Sequence, residues 1–289
     1  MLSYRHAFHA GNHADMLKHA TLVLLLESLQ KKEKPFTLYD THSGAGRYKL
    51  DDERALLTGE VHYGIKKFLA SSEAIPECLA SYKTLVKNYA EHSEYPGSPE
   101  IEKSFLRTQD FLVLMELHNT EIKNLEENMK STDKNLHIAI HHKDGFKTLE
   151  EVTPPKTKRG LALIDPSYEI DQDYQQVIST VCKVHQRWTN GIIALWYPLL
   201  HNRAFEIEDM KNRIIDFAKN RKNTTNPEIL TAELVVDSPH KERGLYGSGM
   251  LVINPCWKLQ ENLEEIIKYY EKLLQVSENS LGNSKVSFY

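Results

Sequence analysis

The chain has 289 residues, of which 40% are hydrophobic and 26% charged, an ordinary composition for a soluble protein with room for one large domain or two small ones. The formal net charge is −4, so no global positive field indicates a nucleic-acid-binding protein, and any basic surface has to be local. The three cysteines, Cys78, Cys182 and Cys256, lie far apart without a CxxC pair, which fits a reducing compartment and excludes a cysteine-built zinc site.

The start of the chain predicts one long helix. Apolar residues recur at helical spacing from Asn12 to Gln30, and Asn12 or His13 stands where an N-cap is expected. The apolar block Leu22–Leu26 is too short to span a membrane, and no secretion signal follows Met1. We therefore expect a cytoplasmic protein without membrane contact.

A strand and a helical segment follow. Phe36–Tyr39 predicts a short strand that runs into the turn Asp40–Gly46, where small residues allow close approach of a ligand to the backbone. The stretch 51–95 is charged, rich in alanine and leucine, and broken at Pro76, which predicts two or three amphipathic helices. Pro96–Pro99 marks a boundary.

Beyond this boundary strands and helices alternate. We predict strands over 111–116, 136–140, 161–165 and 192–196, separated by helices over 121–130, 174–187 and 206–219. The runs 229–236 and 249–253 are close enough to pair as an antiparallel hairpin, and the polar tail after Ser277 is expected to fray. The alternation predicts the α/β class, with a mostly parallel, doubly wound sheet that ends in this hairpin.

The segment Gly160–Tyr168 predicts a buried strand followed by polar and aromatic residues that suit a catalytic site. Its apolar run ends in Asp165, Pro166, Ser167 and Tyr168. A carboxylate and a fixed carbonyl that accept the two N–H bonds of an exocyclic amine would free its lone pair for attack on an electrophilic methyl group. An aromatic ring beside them can stack on a base turned out of its helix. The alternative is a strand that runs into an ordinary Asp-Pro turn.

Three further strand ends carry groups suited to a ligand, since open α/β sheets bind ligands beyond the carboxyl ends of their strands. Gly44 and Gly46 follow the first strand, Glu116 follows the next and suits a ribose diol, and Asp144–Phe146 offers an acid and an apolar ring to an adenine. A GxGxxG fingerprint is not completed, because Lys49 occupies its last glycine position. Each group alone is equally explained as a turn or a helix cap.

Longer blocks of the chain resemble the bacterial large-subunit ribosomal RNA adenine-N6 methyltransferase family, whose members are Rossmann-like and use S-adenosylmethionine (SAM). The resemblance lies in the blocks 1–15, 40–48, 95–99, 194–198 and 248–255, together with an Asp-Pro-Ser-Tyr sequence similar to the Asp-Pro-Pro-Tyr motif. It implies a single methyltransferase domain over 1–289 with a helical insertion over 51–95. It also implies methylation of one adenine of 23S rRNA, naked or partly assembled.

The resemblance assigns roles to individual residues. SAM contacts fall on His19, His42, Ser98, Glu116, Asp144 and Gly145, joined by Gly44 and Asp165 from the strand ends. The catalytic acceptor falls on Asp165, with Pro166 and Tyr168 beside it. Two departures from the family pattern are Ser167 and Cys256, each of which stands where a proline is usual.

Contacts to RNA are expected from two places. Tyr4, Arg5 and His6 form an aromatic and basic tail that can close over cofactor and target base, with Tyr4 assigned a catalytic role. Lys241 and Arg243 lie on the loop between the last two strands, which is expected to overhang the cleft.

Other polar groups leave alternatives open. Lys18 and the lysines of the stretch 31–34 either form a solvated helix end or contact phosphate. His9 and His13 fall four residues apart, but no acid-and-histidine set completes a metal site, so we expect no metal. No feature predicts a dimer helix, and we expect a monomer. The rival functions are a DNA adenine methyltransferase and a catalytically weakened SAM- and RNA-binding assembly factor.

Overall fold

An eight-stranded sheet organises the chain, in a computed structural model that describes residues 9–51, 59–130, 135–220, 227–238, 244–276 and 281–289. In chain order its strands are β1 (Thr37–Asp40), β4 (Phe111–Met115), β5 (His137–His141), β6 (Gly160–Ile164), β7 (Ile192–Leu200), β8 (Ile229–Val235), β9 (Leu245–Ile253) and β10 (Lys285–Phe288). The spatial order is β10-β8-β9-β7-β6-β1-β4-β5. The five strands from β7 to β5 are parallel to one another, and the other three pair antiparallel. The predicted α/β class and the mostly parallel sheet are confirmed.

Helices cover both faces of this sheet, while β2 (Arg47–Lys49) and β3 (Glu94–Pro96) form a separate small ribbon. The helices are α1 (His13–Gln30), α2 (Glu60–Tyr63), α3 (Ile65–Ala70), α4 (Ala80–Ala90), α5 (Ser98–Ser104), α6 (Glu121–Asn128), α7 (Gly145–Val152), α8 (Asp171–Arg187), α9 (Ala204–Lys219) and α10 (Leu259–Leu274). Short 3-10 turns precede α4 and α9. One core cluster includes residues of α1, α4 and α10, and the other includes residues of α7, α8 and α9.

The central strands are apolar because both of their faces are covered. All four residues of β1 and all five of β6 are buried. Leu38 belongs to one core cluster and its neighbour Tyr39 to the other, as the two-residue period of a strand requires. Asp40 is level with Leu114 of β4 and Leu163 of β6, so the first residues beyond these strands meet at one edge.

Helix α1 is buried on nearly every side and begins at a side-chain cap. The Asn12 side chain accepts hydrogen bonds from the backbone N–H groups of Ala14 and Asp15, which confirms one of the two predicted caps. The helix packs against β9 and α10 and delivers Lys18 and His19 toward the carboxyl edge of the sheet. A helix buried in this way forces its polar residues to find partners inside the protein.

The structure differs from the predictions mainly near the end of the chain. The expected frayed tail instead contributes β10, which pairs with β8 from Lys285 opposite Glu233 to Phe288 opposite Leu230. Helix α10 was not predicted, and β7 has nine residues where five were expected. The described part of 51–95 packs through Leu79, Tyr82 and Val86 into the core cluster that contains α1, and its status as an insertion stays a prediction. None of the described helices is long and apolar enough to cross a membrane.

Candidate active site

A cavity of about 260 Å³ opens where β1, β4, β5 and β6 end. The structure brings together around it every predicted cofactor residue: His19, His42, Gly44, Ser98, Glu116, Asp144, Gly145 and Asp165. Pro166 and Ser167 also line the cavity, whereas Tyr168 does not. A ligand in this cavity would meet five carboxylates, those of Glu116, Glu121, Asp144, Asp165 and Asp173, within a partly apolar wall.

The turn after β1 approaches the cavity with its backbone. Gly44 has φ +58°, and a Cβ added there would lie 2.2 Å from the Tyr48 hydroxyl oxygen, so a side chain at this position would clash. The Tyr48 hydroxyl accepts a hydrogen bond from the Ala45 N–H at 3.1 Å and so holds the turn from behind.

Glu116 is fixed by the backbone on two sides. Its Oε2 accepts a hydrogen bond from the Gly44 N–H at 2.7 Å, and its Oε1 accepts one from the His118 N–H at 2.6 Å. Burial raises the pKa of Glu116, although these two N–H groups oppose that shift. Each carboxylate oxygen has a second lone pair, so Glu116 can still accept hydroxyl groups of a ribose.

Asp144 and Gly145, which follow β5, begin helix α7 and also line the cavity. Asp144 Oδ1 accepts the Lys147 N–H at 3.1 Å and caps α7, so the helix-cap alternative holds alongside its place in the cavity. A Cβ on Gly145 would lie 1.9 Å from the Thr41 carbonyl oxygen, which is why two turns can meet here. The His42 ring packs edge-on against Phe146 at 4.8 Å between centroids, and burial lowers the pKa of His42 to about 4.

Asp40 is a buried acid behind the cavity. Its Oδ2 accepts the Ser98 hydroxyl at 2.7 Å and its Oδ1 accepts the His42 N–H at 3.2 Å, so it connects two residues of the cavity wall. Burial raises the pKa of Asp40 to about 7; the Ser98 hydrogen bond opposes this shift and the charge of Asp165 adds to it. Asp40 therefore takes up a proton near neutral pH.

The substitution Asp40→Asn is expected to change how stability depends on pH. Because the folded-state pKa lies above the ordinary value of 3.8, the stability that Asp40 contributes is fully present below 3.8 and is lost as the pH rises through about 7. The neutral asparagine amide does not titrate, so the variant does not lose stability in this way. The melting temperature of the variant should therefore rise relative to that of the wild type between pH 5 and pH 8. Thermal unfolding in buffers of matched ionic strength measures this difference. The exposed Asp216→Asn serves as control, and a difference for Asp40→Asn that does not vary with pH would contradict the assignment.

A buried ion pair that we did not predict joins α1 to the end of β6. Lys18 Nζ lies 2.5 Å from Asp165 Oδ2 and 2.9 Å from Asp15 Oδ1, and the Lys18 side chain is only 4% exposed. The expectation that Lys18 belongs to a solvated helix end is wrong, whereas its contact with phosphate stays a prediction. Burial alone would lower the pKa of Lys18, but Asp15 and Asp165 together hold it well above its ordinary value.

His19 and Tyr95 form the inner wall beside this ion pair. The His19 ring is fully buried, its Nδ1 lies 2.7 Å from the Tyr95 hydroxyl, and the two rings are stacked. Tyr95 in turn lies 3.1 Å from the Tyr82 hydroxyl of α4. The segment 51–95 thus supports the cavity from behind.

The Tyr168 ring lies in the core. It is 6% exposed, packs against Tyr174 and Trp196, and donates a hydrogen bond from its hydroxyl to the Trp196 carbonyl at 2.9 Å. Its φ of +54° is in the left-handed region, which turns the chain sharply after Ser167. Stacking of Tyr168 on a base stays a prediction, and it would require the ring to leave this packing.

Several predicted residues fall outside the described residues. These are Tyr4, Arg5 and His6 of the tail and Lys241 and Arg243 of the loop before β9. The described His9 places its Nδ1 2.9 Å from Glu60 Oε2. Across the described part of the chain, no group of three or more His, Cys, Asp or Glu residues could hold a metal ion.

The parallel strands, the glycine turn after β1 and the acids after β4 and β6 define a Rossmann-like methyltransferase of the class that uses SAM. The family model described as "Ribosomal RNA large subunit methyltransferase D, RlmJ" matches residues 33–288, and the chain belongs to this family. The resemblance stated from the sequence is confirmed.

Individual relatives agree with this assignment. Two proteins named "Ribosomal RNA large subunit methyltransferase J" are each 41% identical to this chain, one from Escherichia coli over 277 residues and one from Haemophilus influenzae over 278. Each alignment covers 95% of this chain and 94% of the relative. A crystal structure of a Legionella pneumophila protein is 30% identical, has a TM-score of 0.83, and matches 97% of this chain and 98% of its own.

Proposed function

We propose that this protein transfers a methyl group from SAM to the exocyclic N6 of an adenine in 23S rRNA. The observation that carries the proposal is the end of β6, where a buried lysine holds Asp165 beside Pro166 on the wall of the cavity. Membership of the ribosomal RNA large-subunit methyltransferase family supports the RNA substrate.

The residues of the cavity fit SAM in chemical type. Glu116 can accept ribose hydroxyls, Asp144 can accept an adenine amino group, and the Phe146 ring offers an apolar face. Asp165 adds a negative charge to the same wall, which suits a ligand with a cationic group. Bound SAM supplies an electrophilic methyl group on a sulfonium centre.

Asp165 acts as a hydrogen-bond acceptor in this proposal. The Lys18 cation lies 2.5 Å from Oδ2 and leaves Oδ1 for the substrate. The target amine donates one N–H to Asp165 and the other to the Pro166 carbonyl, so that its lone pair leaves the ring plane. The nitrogen that gains the methyl group is positively charged until it releases a proton, and the adjacent carboxylate stabilises that charge.

The remaining contacts concern the RNA. We propose that the target adenine is flipped into the cleft, that Tyr4, Arg5 and His6 close over it, and that Lys241 and Arg243 bind phosphates. The protein acts as a monomer in the cytoplasm, on naked or partly assembled RNA. Serine at position 167 leaves the Pro166 carbonyl in place as an acceptor, which favours an active enzyme over a catalytically weakened assembly factor.

Transfer of labelled methyl from SAM tests the proposal. The substrates are protein-free 23S rRNA, duplex DNA and intact large ribosomal subunits, assayed in parallel. Label recovered as N6-methyladenine from the naked rRNA is the expected result. Label on DNA would favour the DNA methyltransferase, and SAM binding without transfer to any substrate would favour the assembly factor.

The substitution Glu116→Gln is expected to weaken SAM binding and to leave turnover at saturating SAM within a few-fold of the wild type. A hydrogen bond to a charged group contributes about 1.5–3 kcal/mol, so the Kd should rise by roughly tenfold or more. Isothermal titration calorimetry measures the Kd, and the exposed Glu126→Gln on α6 is the control. An unchanged Kd with a large loss of turnover would remove Glu116 from the cofactor site.

A further inference from the structure

A basic surface lies at the edge of the sheet opposite the cavity. We name it the basal ledge and define it by four loops, 31–36, 153–159, 188–191 and 254–258. These loops contain seven lysines and arginines but only one acid, Glu33, in a chain whose net charge is −4. They meet at one edge because β1, β6 and β7 begin there and the antiparallel β9 ends there.

Hydrogen bonds join the four loops into one continuous surface. Arg159 donates to the Lys34 carbonyl at 2.8 Å, and the Trp188 indole donates to the Lys158 carbonyl at 3.2 Å. The Asn254 side chain donates to the Gly191 carbonyl at 2.7 Å. The backbone that carries the ledge lysines is therefore held in place at the ends of regular elements.

The available charge on the ledge comes from six exposed lysines: Lys31, Lys32, Lys34, Lys156, Lys158 and Lys258. None of them lies within 4.0 Å of an acid among the described residues, whereas Lys103, Lys211 and Lys285 elsewhere all do. We do not count Arg159 among the available charges, because its guanidinium lies over the Phe36 ring and donates a hydrogen bond to the Leu29 carbonyl. Six lysines left without an acidic partner form a site for a polyanion.

An exposed aromatic ring stands among these lysines. Trp257 is 83% exposed, and it lies between Cys256, which contacts the Leu24 carbonyl of α1 at 3.9 Å, and Lys258, whose φ is +64°. The Cys256 contact joins the loop 254–258 to α1, the helix that runs directly into the loop 31–36. An indole held at a rigid surface beside cations is suited to stack on an unpaired base.

We propose that the basal ledge is a second RNA-binding surface. Its lysines bind phosphates of the substrate rRNA outside the segment in the cleft, and Trp257 stacks on an unpaired base there. The inference rests on the proposed function for the identity of the RNA. Ledge and cleft lie at opposite ends of the buried strand β6, whose five residues span about 16 Å. An RNA that contacts both has to pass around the outside of the molecule, which a long RNA can do and a short hairpin seated in the cleft is not expected to do.

The test compares long and short RNA. The variant Lys32→Gln, Lys34→Gln, Lys156→Gln, Lys158→Gln is measured beside Trp257→Ala for binding to 23S rRNA across a series of salt concentrations. Four lost phosphate contacts should reduce the slope of log Kd against log salt by about 3. We also expect a higher KM for 23S rRNA, with kcat and methylation of a short target hairpin unchanged. The control variant changes four exposed lysines elsewhere to glutamine, namely Lys123, Lys183, Lys268 and Lys272.

The outcomes separate this inference from the proposed function. An unchanged salt slope and KM would overturn the ledge as an RNA surface, as would equal losses in the control variant. Weaker binding confined to protein-covered particles, with naked rRNA unaffected, would overturn it in favour of a protein partner. Salt-dependent binding that needs the four lysines would support the ledge even if the wild type transferred no methyl group. Absence of methyl transfer would contradict the proposed function and leave the ledge proposal standing.

Discussion

Asp165→Ala and Asp165→Asn are expected to lower kcat for 23S rRNA by roughly a hundredfold to a thousandfold, the usual cost of removing a group that stabilises developing charge. Alanine removes the acceptor and leaves Lys18 with Asp15 alone. Asparagine retains the size, but its NH₂ then faces either Lys18 or the substrate amine, both of which are donors. Single-turnover methylation with saturating SAM and RNA measures the effect on the chemical step.

The SAM affinity of both Asp165 variants is expected to stay within a few-fold of the wild type, because Glu116 and Asp144 remain in place. Glu169→Gln removes an exposed charge from the same loop and is the matched control for the rate. Equal losses of SAM binding and methyl transfer in the Asp165 variants would contradict the role of acceptor and assign Asp165 to the cofactor site only.

The central strands could be predicted because buried parallel strands appear in the sequence as continuous apolar runs. Helix α10 is also predictable in principle, since Leu263, Ile267 and Leu274 follow helical spacing. Strand β10 is different. Its residues Lys285 and Phe288 are exposed, the two residues between them are half-buried, and the segment forms a strand because β8 offers an unpaired edge. Such pairing depends on tertiary structure and leaves little trace in a four-residue sequence.

The candidate site could be predicted as far as its acids. Glu116, Asp144 and Asp165 each follow an apolar strand, and parallel strands bring their carboxyl ends to one edge. The ion-pair partner of Asp165 could not be predicted, because Lys18 is 147 residues away in the sequence. The lysines that follow the other end of α1, Lys31 to Lys34, suggested a solvated helix end instead. One local signal was present: Lys18 follows Asp15 by three residues, a spacing at which two side chains of one helix can pair.

Lys18→Met is expected to impair both stability and catalysis, since it leaves Asp15 and Asp165 buried without their cation. Removing one partner of a buried pair typically costs about 3–5 kcal/mol in the free energy of unfolding. The two carboxylates should then share a proton, and a protonated Asp165 no longer accepts from the substrate amine. Activity of the variant should therefore rise with pH. In the wild type Lys18 keeps its charge, because its pKa is raised above the ordinary value of 10.5. The stability that Lys18 contributes is therefore fully present below pH 10.5.

Two companion variants separate catalysis from folding at this position. Lys18→Arg keeps the charge and should retain the pH profile of the wild type, whatever its repacking costs in stability. Adding Asp15→Asn to Lys18→Met removes one of the two uncompensated carboxylates, so the melting temperature should recover in part. Full recovery of activity in that double variant, or a Lys18→Met pH profile identical to that of the wild type, would show that Lys18 serves the fold alone. The expected combination, partial recovery of stability with continued loss of methyl transfer, would assign Lys18 the task of keeping Asp165 an acceptor.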